Sequence, residues 1–342
     1  MGQTEAALQR SSLMLPRYLL ALVLSLCPIL AHAQAVQTAR INTAYGLDVF
    51  ANRSVTAPGP AVDQAVIILH GVRRNAEDYF HIGQQLLAAE HWSDDHTLLL
   101  APGFFTTRDT PAGEGLPLWN SRWMEGRPSE QGQVGITPVQ ALDDLLAWVG
   151  DGTRYPRLKQ VTLIGHSAGA QLLQRYAVFG RAEQRLAARG IQVRYVISSP
   201  SSYLYFDDRR PEGNAFDEEA VAQCPEVNHY RYGLEGVPAS LATQPLEARQ
   251  LFQRYAARHI TYLVGMQDND PKHKLLDTSC GAEAQGDSRL ERQRHYLAYE
   301  RLLGKEWHSP LQRANAEVPG VGHSANDLYA SPVVVKLLGL NE

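Results

Sequence analysis

The sequence predicts an α/β fold: a mostly parallel central sheet flanked by helices, with an inserted cap. Three observations carry this. Short β-rich apolar runs alternate with amphipathic segments, each apolar run stops at a turn rich in glycine, proline or serine, and two long stretches interrupt the alternation.

Taken in chain order, the first core strand is expected at 66–69, ending at His70-Gly71, and a helix at 77–89. A second strand at 97–100 runs into Ala101-Pro102-Gly103. The helix at 138–149 carries its own start signal, because Thr137 suits an N-cap and Pro138 the first turn. Strand 161–164 and helix 167–179 follow, then a strand at 193–197 ending in Ser198-Ser199-Pro200. A strand at 260–264 ends at Gly265. Helix 290–303, a weaker strand at 314–318 and a helix at 325–338 continue the pattern.

Residues 104–135 and 200–251 are too long for ordinary connections. Both are rich in aromatics, glycine, proline and arginine. Long loops beside strand ends line clefts or cap them, so Trp119, Trp123, Tyr203 and Tyr205 are candidate cleft residues, with packing onto the core as the alternative. The second stretch reads as a cap-like insertion over about 200–255.

The N-terminus reads as a secretory signal over residues 1–33: basic Arg17, an apolar run at 18–30 and the A-x-A site Ala31-His32-Ala33. The run is broken by Pro28 and falls short of the roughly 20 residues a membrane span needs. No stable span is expected once the signal is cleaved. Met14 stands as a second candidate start. Residues 34–342 are then one large domain in a secreted or periplasmic protein. Cys27 lies in the leader, which leaves Cys224 and Cys280 as a pair expected to form a disulfide in an oxidising compartment. The formal net charge is −4 and there is no lysine or arginine run, which speaks against nucleic acid as a partner. No phosphate-binding glycine loop is present and no cofactor is implied.

The chemistry begins at Gly165-His166-Ser167-Ala168-Gly169, between an apolar strand and a helix-like run. Strand, sharp turn and helix are the setting a nucleophile elbow requires, and the glycines let strand and helix backbones pass close to the raised serine. A serine hydroxyl needs a histidine base and a carboxylate to orient it. His323, in the glycine-rich stretch Gly320-Val321-Gly322-His323, is the candidate base. His229, His259, His273, His295 and His308 are its rivals, on an insertion, at the wrong end of a strand, inside a helix or in polar stretches. Asp268, three residues past Gly265, is the candidate acid, and Asp270 the runner-up. The Asp268-x-Asp270 pair lacks the further ligands a metal site requires. Backbone N–H groups of Ala168 and Val72 are candidate oxyanion donors, Arg73 being the second choice for the latter. His70 is expected to brace its loop, and His166 to pack.

Together His70-Gly71, Gly165-His-Ser-Ala-Gly169, Gly265-x-x-Asp268 and Gly322-His323, in this order, resemble the α/β-hydrolase fold superfamily over most of residues 66–338. Exported members with a His-Gly loop and a modest cap are similar to carboxylesterases, lipases and polyester depolymerases. The resemblance implies Ser167, Asp268 and His323 as catalytic residues, in agreement with the reading from the residues. It also implies a small-molecule, lipid or polymeric ester as substrate. The stretch 200–251 matches no named cap and leaves substrate class open. Amide or peptide hydrolysis by the same residues, and a non-catalytic binding protein on the same scaffold, are the alternatives.

Overall fold

A computed structural model describes residues 35–213, 215–242 and 247–339, so the expected signal at 1–33 lies outside the described residues. Two short strands come first, β1 (Gln37–Ala39) and β2 (Leu47–Ala51). The chain then runs β3 (Gln64–Leu69), α1 (Ala76–Ala89), β4 (Thr97–Pro102), α2 (Pro138–Val149), β5 (Gln160–His166) and α3 (Ala168–Phe179). Next come α4 (Ala182–Ala187) and β6 (Gln192–Ser198), a small hairpin of β7 (Arg210–Glu212) and β8 (Ala215–Asp217), and α5 (Glu219–Gln223). The remaining elements are α6 (Ala248–Ala256), β9 (His259–Gly265), α7 (Cys280–Glu283), α8 (Arg289–Glu306), β10 (Gln312–Val318), α9 (Ala325–Tyr329) and α10 (Pro332–Leu338).

Among the described residues, eight strands form one sheet in the order β1-β2-β4-β3-β5-β6-β9-β10. From β4 to β10 every neighbouring pair is parallel, while β2 is antiparallel to β4 and β1 to β2. Apart from β10, the parallel strands are largely apolar on both faces because both faces are covered. In β3, Ala65, Ile67 and Leu69 point into the core shared with α2, α3 and α8, whereas Val66 and Ile68 point into the one shared with α1, α9 and α10. The chain leaves β3 for β4 on one side and returns to β5 on the other. That reversal opens a crevice at the carboxyl ends of β3 and β5, where open α/β sheets bind ligands.

Thr137 caps α2 as its sequence suggests, its hydroxyl accepting the Gln140 N–H at 3.0 Å, with Pro138 in the first turn. Other elements differ from expectation. The helix expected at 325–338 is two helices, because Pro332 has no N–H to continue α9 and instead opens α10. β10 extends further than its apolar residues suggest. Among the described residues it is an edge strand of the sheet, opposite β1, and its charged side chains pair with α8: Arg313 with Glu300 at 2.9 Å and Arg294 of α8 with Glu317 at 2.6 Å.

The two interrupting stretches are stitched to the core and to each other. Tyr203 stacks on Tyr296 of α8 at 4.3 Å, and Tyr205 lies 4.4 Å from Tyr299. Glu125, fully buried, meets Arg231 at 2.5 Å, and Arg231 meets Asp277 at 2.8 Å. Cys224 and Cys280 form a disulfide that ties the second stretch to α7. No helix among the described residues is long and apolar enough to cross a membrane.

Candidate active site

Ser167 sits between β5 and α3 with φ 57° and ψ −116°, a left-handed conformation that costs a non-glycine residue energy and raises its side chain off the sheet edge. The flanking glycines make the turn feasible. A Cβ on Gly165 would lie 2.6 Å from the Gly169 oxygen, and one on Gly169 would lie 2.6 Å from the oxygens of both Leu69 and His70. Strand, helix and the loop after β3 can approach this closely only without those side chains. The Ser167 N–H is held by the Ser198 carbonyl at 2.9 Å.

His323 follows β10 and Asp268 follows β9. The Ser167 Oγ and His323 Nε2 are 3.0 Å apart, and the His323 Nδ1 and Asp268 Oδ2 are 2.7 Å apart. The carboxylate requires the proton on Nδ1, so Nε2 is the free acceptor for the serine hydroxyl. Asp268 is nearly buried, and its second oxygen accepts from Arg289 of α8 at 3.1 Å. Burial alone would push the Asp268 carboxyl up. The hydrogen bond from His323, with the charges of His323 and Arg289, outweighs burial and holds it below the usual carboxylate range. Asp270 instead accepts the Lys272 N–H at 2.9 Å.

Val72 follows Gly71 in the loop after β3, and Ala168 opens α3. Among the described residues neither backbone N–H has a hydrogen-bond acceptor, and the start of α3 adds its partial positive charge. His70 fastens this loop. Its Nε2 accepts the Phe104 N–H at 2.9 Å, which leaves Nδ1 to donate to the Gly71 carbonyl at 2.9 Å. Burial pushes this imidazole down to about 4, so it stays neutral. His166 pairs with the Tyr79 hydroxyl at 3.0 Å, and its ring lies 4.7 Å from that of His323. Burial, and then the neighbouring His323, hold His166 well below the ordinary histidine range.

Ser167 and His323 open into a cleft of about 520 Å³ walled by the loop after β3, the outer face of α1, residues 273–275 and residues 323–326. The four aromatics expected to line it do not. Trp119 and Trp123 are fully buried with Phe104, and Tyr203 and Tyr205 are fully buried against α8. Their large apolar surfaces stabilise the interrupting stretches on the core. No described residue of 200–251 lines this cleft.

Three contributors had no clear signal in the sequence. Arg289 lies in a helix of mixed polarity, Tyr79 reads as a core residue of α1, and His273 reads as a surface residue. In the structure His273 lines the cleft, its ring 5.2 Å from His323, with its Nδ1 3.3 Å from Arg289. Among the described residues no group of three His, Cys, Asp or Glu side chains is disposed to hold a metal ion. Chemically, the arrangement can withdraw a proton from Ser167 and stabilise an oxyanion beside it.

No family model matches the sequence, and no curated protein matches it. Solved structures do. The chain is similar to poly(aspartic acid) hydrolase-1 from Sphingomonas sp. KT-1, with a TM-score of 0.60 and 18% identity over 89% of this chain and 97% of that one. It is also similar to LpqC, a poly(3-hydroxybutyrate) depolymerase from Bordetella parapertussis, with a TM-score of 0.58 and 21% identity over 86% of each chain. At these identities the likeness establishes the fold, which is the α/β-hydrolase fold.

Proposed function

We propose that this α/β-hydrolase-fold chain is a secreted or periplasmic serine hydrolase that cleaves carboxylic esters through an acyl-enzyme. The observation that carries the reading is the continuous hydrogen-bonded line from Ser167 through His323 to Asp268, opening into a cleft from a strained elbow.

Ser167 Oγ attacks the ester carbonyl while His323 Nε2 takes its proton. Asp268 holds the imidazole and stabilises the imidazolium, and His323, with Arg289 behind it, keeps Asp268 ionised. The oxyanion is received by the N–H groups of Ala168 and Val72. The C–O bond to the leaving group breaks as His323 returns the proton to the departing alcohol. Water, deprotonated by the same imidazole, then attacks the acyl-enzyme, and the carboxylic acid leaves with Ser167 restored. Residues 1–33 serve as the export signal, 34–342 as the working domain, and about 200–255 as an insertion within it. The disulfide supports an oxidising destination.

Amide hydrolysis uses the same constellation and is the competing reading. Matched esters and amides of one acyl group decide between them, with p-nitrophenyl esters of increasing acyl length to define the acyl preference. Ester cleavage lost on Ser167→Ala is the expected result. Amide cleavage at equal or better efficiency would overturn the ester assignment.

A further inference from the structure

We propose that the cleft takes a substrate carrying carboxylate groups on both sides of the scissile bond, held by Arg73 on the acyl side and Lys274 on the leaving-group side. This rests on the hydrolase reading of Ser167. By sheet order β3 lies on one side of β5, and β6 and β9 lie on the other. Arg73 follows β3 and Lys274 follows β9, so the two cations flank Ser167, and both line the cleft. Both are exposed, and among the described residues neither has a hydrogen-bond or ion-pair partner.

The contrast with Arg74 is informative. That neighbour is clamped by Asp109 at 2.5 and 3.0 Å and by the Val72 carbonyl at 2.9 Å, so it is committed to shaping the loop. Arg73, one residue from the expected oxyanion donor, is left facing the cleft. Asp78 is the one carboxylate among the described residues lining the cleft, and it already accepts from the Asn75 amide at 2.5 Å. Tyr79 is the one large aromatic among the described lining residues, and it is buried with its hydroxyl paired to His166, so no exposed ring there offers a platform for an aromatic substrate. The sides follow from the chemistry. The leaving group must lie where His323 can protonate it, beside His273 and Lys274. The acyl portion then extends toward the loop after β3 and Arg73. A chain with carboxylates along its length satisfies both cations at once.

Two matched pairs of esters test this. On the acyl side, mono-p-nitrophenyl glutarate is compared with its neutral isostere p-nitrophenyl glutaramate. On the leaving-group side, 3-carboxyphenyl butyrate is compared with 3-carbamoylphenyl butyrate. The ratio of kcat/KM, anionic over neutral, cancels any effect on the shared chemical step. Each ratio is expected to exceed one by about fivefold at low salt and to collapse near about 0.5 M salt. Arg73→Gln should abolish the first preference and Lys274→Gln the second. If either ratio is at or below one in the wild type, or survives its own substitution, the proposal is overturned. If no ester is cleaved, the hydrolase reading fails instead. A fluorescein-labelled short oligoglutamate still reads the subsites without turnover: binding that weakens in the double variant supports them, and binding that is absent or unchanged overturns them.

Discussion

Alanine at Gly265 is expected to disable the site, whereas alanine at Gly322, directly beside the proposed base, is not. A Cβ on Gly265 would stand 2.1 Å from the Val321 oxygen, 2.6 Å from its carbonyl carbon and 2.8 Å from the Gly322 oxygen. Restoring ordinary contact requires the 321–323 backbone to retreat by roughly 1 Å, and His323 travels with it. Its bonds to Ser167 at 3.0 Å and to Asp268 at 2.7 Å would both lengthen. A displacement of about 1 Å at a catalytic group costs on the order of 100-fold in rate. On Gly322, by contrast, a Cβ would have only the Gln267 oxygen nearby, at 3.8 Å. The assay is kcat on p-nitrophenyl butyrate for Gly265→Ala and Gly322→Ala, with circular dichroism and thermal unfolding to establish that both are folded. A folded Gly265→Ala protein with kcat within about threefold of Gly322→Ala would refute the close-approach argument.

Asp268→Asn should lower kcat by about 10⁴-fold through loss of the correct imidazole tautomer, while Asp270→Asn should stay within about threefold in the same ester assay. Equal losses would mean that the carboxylate orienting His323 is misassigned. Stability should fall on acidification from the ordinary histidine range toward pH 4. His70, depressed by burial to about 4, remains neutral in the folded chain while the unfolded chain takes up a proton, so its contribution is complete above about 6.5 and declines below it. The shift from 6.5 to about 4 corresponds to about 3 kcal/mol, readable as the drop in urea midpoint between pH 7 and pH 4, and a His70→Asn protein should lose that part of the slope. Trp123→Ala should cost about 3–5 kcal/mol in chemical denaturation without altering the relative KM of aromatic and aliphatic acyl esters. A selective rise in KM for aromatic esters would place Trp123 at the cleft after all.

The alternation of apolar runs and amphipathic segments identifies the parallel half of the sheet because those strands are buried on both faces and need continuous apolar residues. β10 is harder to read: an edge strand stabilised by Arg313–Glu300 and Arg294–Glu317 pairs can be polar. The elbow is legible because its glycines answer a local steric demand, visible as a short motif. Asp268 and His323 are readable as candidates from their turns after strands. Arg289 is not, since its partner lies 21 positions away in the chain and nothing local distinguishes a helix arginine that turns inward. The aromatics of the interrupting stretches mislead for a physical reason. Composition cannot distinguish a ring stacked under a loop, as Tyr203 is on Tyr296, from one presented to a substrate.

Everything proposed for this chain depends on Ser167 being a nucleophile activated by His323. Treating the folded protein with a fluorophosphonate and mapping the adduct by mass spectrometry tests it without knowledge of the substrate. The expected result is a single adduct on the peptide carrying Ser167, absent in Ser167→Ala and formed far more slowly in His323→Ala. A folded protein that stays unmodified, or carries the adduct on another residue, would contradict it.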